Sequence, residues 1–224
     1  MGDDYKAADR RPIATRGLRA SQSAASALAR AGVSANAISV AGMLVGILAG
    51  AAFAATAGGF GPGRPWWILG AALVQLRLLA NMFDGMVAIE RGTASPTGEL
   101  YNEVPDRVSD TATLVGLGYA ALSVPVLGFL AAGAAMFTAY IRATGKAAGA
   151  RHEFCGPFAK PQRMFLVTLC GLWCGLTPPA WQAIPALGPV AGIPAITLAV
   201  IAAGSLLTAL RRLAKIAAAL KRPT

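Results

Sequence analysis

Residues 190–210 read VAGIPAITLAVIAAGSLLTAL, twenty-one positions without a charge. At 1.5 Å per residue this is about 30 Å of apolar helix, enough to cross the hydrocarbon core of a bilayer. Residues 164–187 are also uncharged. Of the 224 residues, 55% are hydrophobic and 13% charged, and the mean hydropathy is +0.56. This composition excludes a disordered chain and argues against an ordinary soluble domain. The fold class expected is an all-α polytopic membrane protein. No cleavable signal is expected, because residues 1–30 carry Asp3, Asp4, Asp9 and six basic residues before any apolar run.

A net charge of +10 would also suit a nucleic-acid partner, but the basic residues gather at alternate ends of the apolar segments, which points to topology and not to nucleic acid. Lys6, Arg10, Arg11, Arg16, Arg19 and Arg30 precede the first segment, Arg91 follows the second, and Arg142, Lys146, Arg151, Lys160 and Arg163 follow the fourth. Arg211, Arg212, Lys215, Lys221 and Arg222 follow the last, and only Arg64 falls on the other side. The positive-inside rule then predicts six spans, at 36–56, 65–90, 102–124, 126–149, 161–176 and 190–213, with both termini cytoplasmic. The predicted organisation is a leader over 1–35, a six-helix membrane domain over 36–213 and a basic cytoplasmic tail over 214–224. In bacteria this is a multi-pass protein of the cytoplasmic (inner) membrane. Within the leader, residues 15–31 read TRGLRASQSAASALARA, which suggests a basic amphipathic helix lying on the anionic leaflet, with a disordered basic leader as the alternative.

Gly42, Gly46 and Gly50 recur every four residues, on one face of the first span, and permit close helix contact within one chain or between two. Cys155, Cys170 and Cys174 make no disulfide framework, and with His152 as the only histidine they make no zinc set.

The chemistry concentrates in residues 81–110, NMFDGMVAIERGTASPTGELYNEVPDRVSD, which hold six of the ten acidic residues. Carboxylates at a membrane edge are costly unless paired or metal-bound. Arg77, Asn81, Asp84 and Ala88 share a stripe on the second helix, with Gly85 beside it. Asn102, Asp106 and Asp110 share a stripe on the third, as do Glu103, Asp106 and Asp110. Oxygen ligands converging from two helices suit a hard divalent cation together with substrate phosphates. The simpler reading is that the acids neutralise Arg77, Arg91 and Arg107, but six acids outnumber three bases. Pro105 either kinks the third helix or sits in its first turn.

The spacing Asn81-x-x-Asp84-Gly85-x-x-Ala88, then Gly98-x-x-x-Asn102-x-x-x-Asp106, resembles the signature of the CDP-alcohol phosphotransferase family. There Asp-x-x-Asp-Gly-x-x-Ala-Arg precedes Gly-x-x-x-Asp-x-x-x-Asp. The resemblance implies six spans, an amphipathic leader and transfer of a phosphatidyl-type group from a CDP-lipid such as CDP-diacylglycerol to an alcohol, with release of CMP. It also implies divalent metal (Mg2+ or Mn2+) and a homodimer. In this chain the first and third aspartates are Asn81 and Asn102, and Ile89 replaces the arginine. It is similar to a bacterial branch with an Asn-x-x-Asp-Gly-Met start, an Asn-Glu-x-x-Asp-x-x-Ser-Asp second half and a Gly-Pro-Phe-x-Lys-x-x-Arg segment, here Gly156 to Arg163.

The resemblance assigns metal binding to Asp84 and Asp106, with Asn81 and Asn102 in the altered positions, and proton abstraction to Asp106. Fewer aspartates leave either one metal or two, and Glu103 and Asp110 are candidate replacements from their helical spacing. Glu103 can equally pair with Arg107. By resemblance alone, Asn36, Ser39, Gly85, Ala88 and Gly98 hold the CDP moiety. Arg142, Lys146, Arg151, Lys160 and Arg163 either bind a phosphate on the acceptor or simply obey the positive-inside rule. Two other classes remain open: a catalytically silent membrane-binding relative, and a small transporter using Asp84 or Asp106 as a cation site.

Overall fold

A computed structural model describes residues 18–59, 63–93, 95–150, 153–187 and 191–221. All regular secondary structure there is helical: α1 (Arg19–Arg30), α2 (Ala35–Ala55), α3 (Gly63–Glu90), α4 (Pro96–Gly118), α5 (Pro125–Ala147), α6 (Lys160–Leu176) and α7 (Ile193–Leu220), with two short 3-10 turns between α6 and α7. Among the described residues, α2, α3, α5 and α7 are long and apolar enough to cross a membrane. Charged residues interrupt α4, and α6 has only 17 residues. Calls falling on residues 1–17, Arg151, His152 and Arg222 lie outside the described residues.

The helix starts follow local chemistry. The Ser34 hydroxyl accepts the Ala37 N–H at 3.2 Å to cap α2, and Ser95 accepts the Gly98 N–H at 3.1 Å to cap α4. Prolines near the first turn open α4, α5, α6 and α7, where a missing N–H costs nothing. The Ser95 cap explains why α4 starts at 96 instead of 102, and it puts Pro105 in the helix interior, not in its first turn. There Pro105 leaves the Tyr101 carbonyl without its usual intrahelical donor. Where the third span was expected to reach 124, the chain turns after Gly118, with Leu122 at φ 55°, before Pro125 opens α5. α7 continues to Leu220, so the basic segment expected as a tail from 214 is largely helical.

The core lies between α2, α3, α4, α5, α6 and α7, around Phe53, Trp67, Leu114, Ala131, Val167, Leu198 and Ile201. The three glycines of α2 are spent inside the chain. A β-carbon on Gly46 would stand 2.4 Å from the Ser109 β-carbon, and one on Gly50 would stand 2.2 Å from the Ala112 carbonyl oxygen. Backbones of α2 and α4 therefore touch here, and the Thr113 hydroxyl donates to the Gly46 carbonyl at 3.1 Å. This contact sets α4 beside α2 and α3 with Asp106, Ser109 and Asp110 turned inward, all buried.

Candidate active site

At the end of the bundle where α3 finishes and α4 and α6 begin, a small cleft is lined by Ser39, Gly42, Arg77, Asn81, Asp84 and Asp106. Helical spacing on α3 delivers Arg77, Asn81 and Asp84, as predicted from the sequence, and α4 delivers Asp106 across from them. Asp84 is buried and held by neutral donors: the Ser39 hydroxyl at 2.7 Å on Oδ2 and the Gly85 N–H at 2.5 Å on Oδ1. Among the described residues it makes no ion pair with a lysine or arginine. The buried Oδ1 of Asn81 has no hydrogen-bond partner among the described residues, a costly state that a ligand would relieve.

Asp106 is surrounded by positive charge. Arg77 bonds its Oδ1 through Nη2 while donating through Nε to the Ser109 hydroxyl at 2.7 Å. Lys160 Nζ lies 2.6 Å from Oδ2, and Arg107 is 3.7 Å away. Asp110 sits behind, 3.7 Å from Lys160 and 3.8 Å from both Arg77 and Arg163. The expectation that acids outnumber bases here is corrected. It counted only neighbours in sequence, whereas the fold brings Lys160 and Arg163 from α6 against α4.

Other candidate residues separate into groups. Asn102 is half-buried next to Asp106 on α4 but does not line the cleft. The Glu103 carboxylate turns outward, 2.5 Å from Arg142 and 3.5 Å from Arg107, with about half its side chain exposed. This is the Arg107 pairing that the helical spacing allowed, with Arg142 added. Of the residues assigned to CDP, Ser39 and Gly85 adjoin Asp84. Asn36 is exposed, and Ala88 and Gly98 do not line the cleft; the Gly98 N–H is engaged by the α4 cap. The five basic residues do not converge as one group. Arg142 and Lys146 pair with Glu103 and Glu99 at the rim, Lys160 and Arg163 turn to Asp106 and Asp110, and Arg151 lies outside the described residues. Sequence reasoning gave Ser109, Thr208 and Arg212 no part in the site; all three are buried, and each also bonds a residue in a distant segment, Arg77, Phe158 and Cys155 respectively.

The donor set fits one hard cation: Asn81 Oδ1, the Asp84 carboxylate and an edge of Asp106 offer oxygens of the kind magnesium or manganese prefers. Among the described residues no three His, Cys, Asp or Glu side chains converge on a metal by themselves, so such an ion would draw on Asn81 and on substrate oxygens.

No protein-family model matches the chain. It is 27% identical over 158 residues to the phosphatidylinositol phosphate synthase of Mycolicibacterium smegmatis, covering 68% of this chain and 67% of that protein. It is 26% identical over 181 residues to the protein of the same name from Mycobacteroides abscessus, covering 78% of each. Its fold is similar to that of the Mycobacterium tuberculosis phosphatidylinositol phosphate synthase in complex with manganese and citrate, at a TM-score of 0.71 and 20% identity over 91% of this chain and 93% of that one. The CDP-DAG-bound form of that protein superposes with a TM-score of 0.69, again at 20% identity, over 92% of this chain and 99% of that one.

Proposed function

We infer that this chain, a member of the CDP-alcohol phosphotransferase family, is an integral membrane enzyme that moves a phosphatidyl-type group from a CDP-lipid to an alcohol and releases CMP. The observation that carries the reading is the cleft in which unpartnered Asn81 Oδ1 stands beside Asp84 and Asp106. The names of the relatives support it, as does the CDP-DAG held by the M. tuberculosis protein. The donor is a CDP-lipid of the CDP-diacylglycerol type, with its acyl chains in the bilayer. The acceptor is a small alcohol or phosphorylated alcohol.

The pyrophosphate of the donor lies at the mouth of the cleft. A divalent cation held by Asn81, Asp84 and Asp106 would offset charge on the donor's phosphates. Ser39 and the Gly85 N–H fix the Asp84 carboxylate so that no reorganisation is needed when charge develops. Arg77 and Lys160 lock the Asp106 plane, and Asp106 accepts the hydrogen bond of the acceptor hydroxyl. As the acceptor oxygen bonds the lipid-side phosphorus, its proton passes to Asp106, and the bond from that phosphorus to the CMP oxygen breaks. The reading also includes six traversals, an interfacial α1, cytoplasmic termini and a homodimer.

The test is direct: purified protein with labelled CDP-diacylglycerol, manganese or magnesium, and a panel including inositol, glycerol and their phosphates, following CMP. Acceptor-dependent CMP release supports the enzyme. Tight CDP-lipid binding without release under any acceptor would make the chain a silent relative.

A further inference from the structure

We propose that the Lys160 ammonium is a built-in cation of this centre, standing where a second divalent ion would otherwise bind, so that the site takes one metal ion per chain. The inference rests on the reading just given and deepens it by fixing the site's metal content.

Each oxygen of Asp106 already accepts from one protein cation, Arg77 on Oδ1 and Lys160 on Oδ2, which leaves the carboxylate room to share in one metal ion but not in two. Asp110 is flanked by Lys160, Arg77 and Arg163 at 3.7–3.8 Å, and neither of its buried oxygens makes a hydrogen bond among the described residues. A divalent ion placed between Asp106 and Asp110 would sit within a few ångströms of fixed positive charge in a poorly solvated site, where repulsion is strong. On the other side of the cleft, Asn81 Oδ1 and Asp84 face no cation at hydrogen-bond distance among the described residues. One half of the centre is thus already neutralised, and the other is open.

Lys160 is also presented by a built scaffold and is not a surface lysine that has drifted inward. Its side chain is only 13% exposed. The preceding turn has Gly156 at φ 114°, pressed on the Thr208 side chain, and the ring of Phe158 lies over Gly204. The Phe158 N–H donates to Thr208 Oγ1 at 3.0 Å, and its carbonyl accepts from Arg163 Nη1 at 2.8 Å. Arg212 donates through Nε to the Cys155 carbonyl and through Nη1 to the Thr138 carbonyl, both at 3.0 Å. Helices α5, α6 and α7 thereby fix the backbone that carries Lys160. An ammonium has the positive charge a phosphate needs but, unlike a metal ion, is set in place by folding.

The experiment counts manganese on the full-length protein in nanodiscs by electron paramagnetic resonance, alongside CMP release. The wild type is expected to bind one ion per chain with a magnetically isolated spectrum. K160M, which keeps the length and removes the charge, should bind two, and K160M combined with N102D should show the broadened spectrum of a coupled pair. K160R should stay at one. Two ions on the wild type overturn the proposal, as does a single ion on a folded K160M. Should K160M fail to fold, wild type at one ion and K160R at one uphold it, and two ions on either sink it. No manganese on any variant overturns both this proposal and the metal reading beneath it, whereas manganese-dependent CMP release with two ions bound leaves that reading standing and removes only the role of Lys160.

Discussion

Asp84 and Asp106 are the same residue type in different electrostatic settings because their partners differ. Asp84 is held by a hydroxyl and an amide, Asp106 by a guanidinium and an ammonium. Asp84→Asn should therefore remove manganese binding along with CMP release. Ser39→Ala, which only frees the carboxylate to rotate, should weaken manganese binding by about tenfold, the usual effect of losing a partner that orients a ligand. Isothermal titration of each variant checks both, and an unchanged affinity in Ser39→Ala would mean that Asp84 is not a ligand. Glu103→Gln should leave the manganese titration unchanged and cost no more than about 1 kcal/mol of stability, because its pairs with Arg142 and Arg107 are half exposed. A shift in metal dependence would return Glu103 to the site. The acid and amide stripes on α3 and α4 were legible because helical spacing alone sets them. The Lys160 contact was not, since Lys160 and Asp106 are 54 positions apart and only tertiary structure joins them. The Gly-Pro-Phe-x-Lys-x-x-Arg segment was visible as a motif, but nothing in it says which carboxylate its lysine meets.

Close approach of helices is bought with missing side chains, and the structure separates glycines that matter from those that do not. Gly50 faces the Ala112 and Gly116 backbones, which cannot give way, while nothing lies within 4 Å of a β-carbon on Gly133. Gly50→Ala should cost about 1–3 kcal/mol, lowering the thermal midpoint by several degrees at about 2–4 °C per kcal/mol. Gly133→Ala should be neutral or slightly stabilising, through helix propensity alone. Thermal scans in one detergent compare the two, and equal midpoints would mean that α2 and α4 do not meet as described. The four-residue glycine period on α2 showed a contact face in the sequence without its partner. Gly116, Gly118 and Gly128 also pack inside this chain, Gly116 on Gly50 and Gly118 on Gly128. These glycines therefore give the proposed homodimer no support. What remains is an apolar groove of about 640 Å³ on the outside of α2, α4 and α5, lined by Ile47, Val108, Phe129 and Met136 among others. Phe129→Arg with Met136→Arg should then yield monomer by mass measurement in nanodiscs where the wild type is a dimer. A monomeric wild type would end the proposal.

At the scale of the molecule, polar contacts gather at one end. Arg91 at the close of α3 donates to the Gly32 and Val33 carbonyls after α1. Glu99 and Glu103, early in α4, pair with Lys146 and Arg142, late in α5. Lys160 at the start of α6 reaches α4, and Arg212 near the end of α7 holds the turn before α6. Each of these helices thus places at this end the terminus it should have if α2 to α7 traverse alternately, even though only four of them have the length and apolarity of a span. The charges of α4 sit mostly in its first half, so six traversals would place that half at the cleft end and the more apolar second half deeper in the bilayer. Six traversals would put α1 and the end of α7 on the same side as the cleft, and by the positive-inside rule the arginines and lysines there predict that side to be cytoplasmic. The prediction can be checked by labelling single cysteines, after replacing Cys155, Cys170 and Cys174 with alanine, by a membrane-impermeant maleimide. Gln22→Cys before the first span and Ala218→Cys near the end of α7, both exposed, should react only in inside-out vesicles. Ala57→Cys, exposed just past α2, should react only in right-side-out ones. Opposite sidedness for Gln22→Cys and Ala218→Cys would mean an odd number of crossings. Either α4 or α6 would then have to lie outside the bilayer, and the cleft built from both could not stand at its surface.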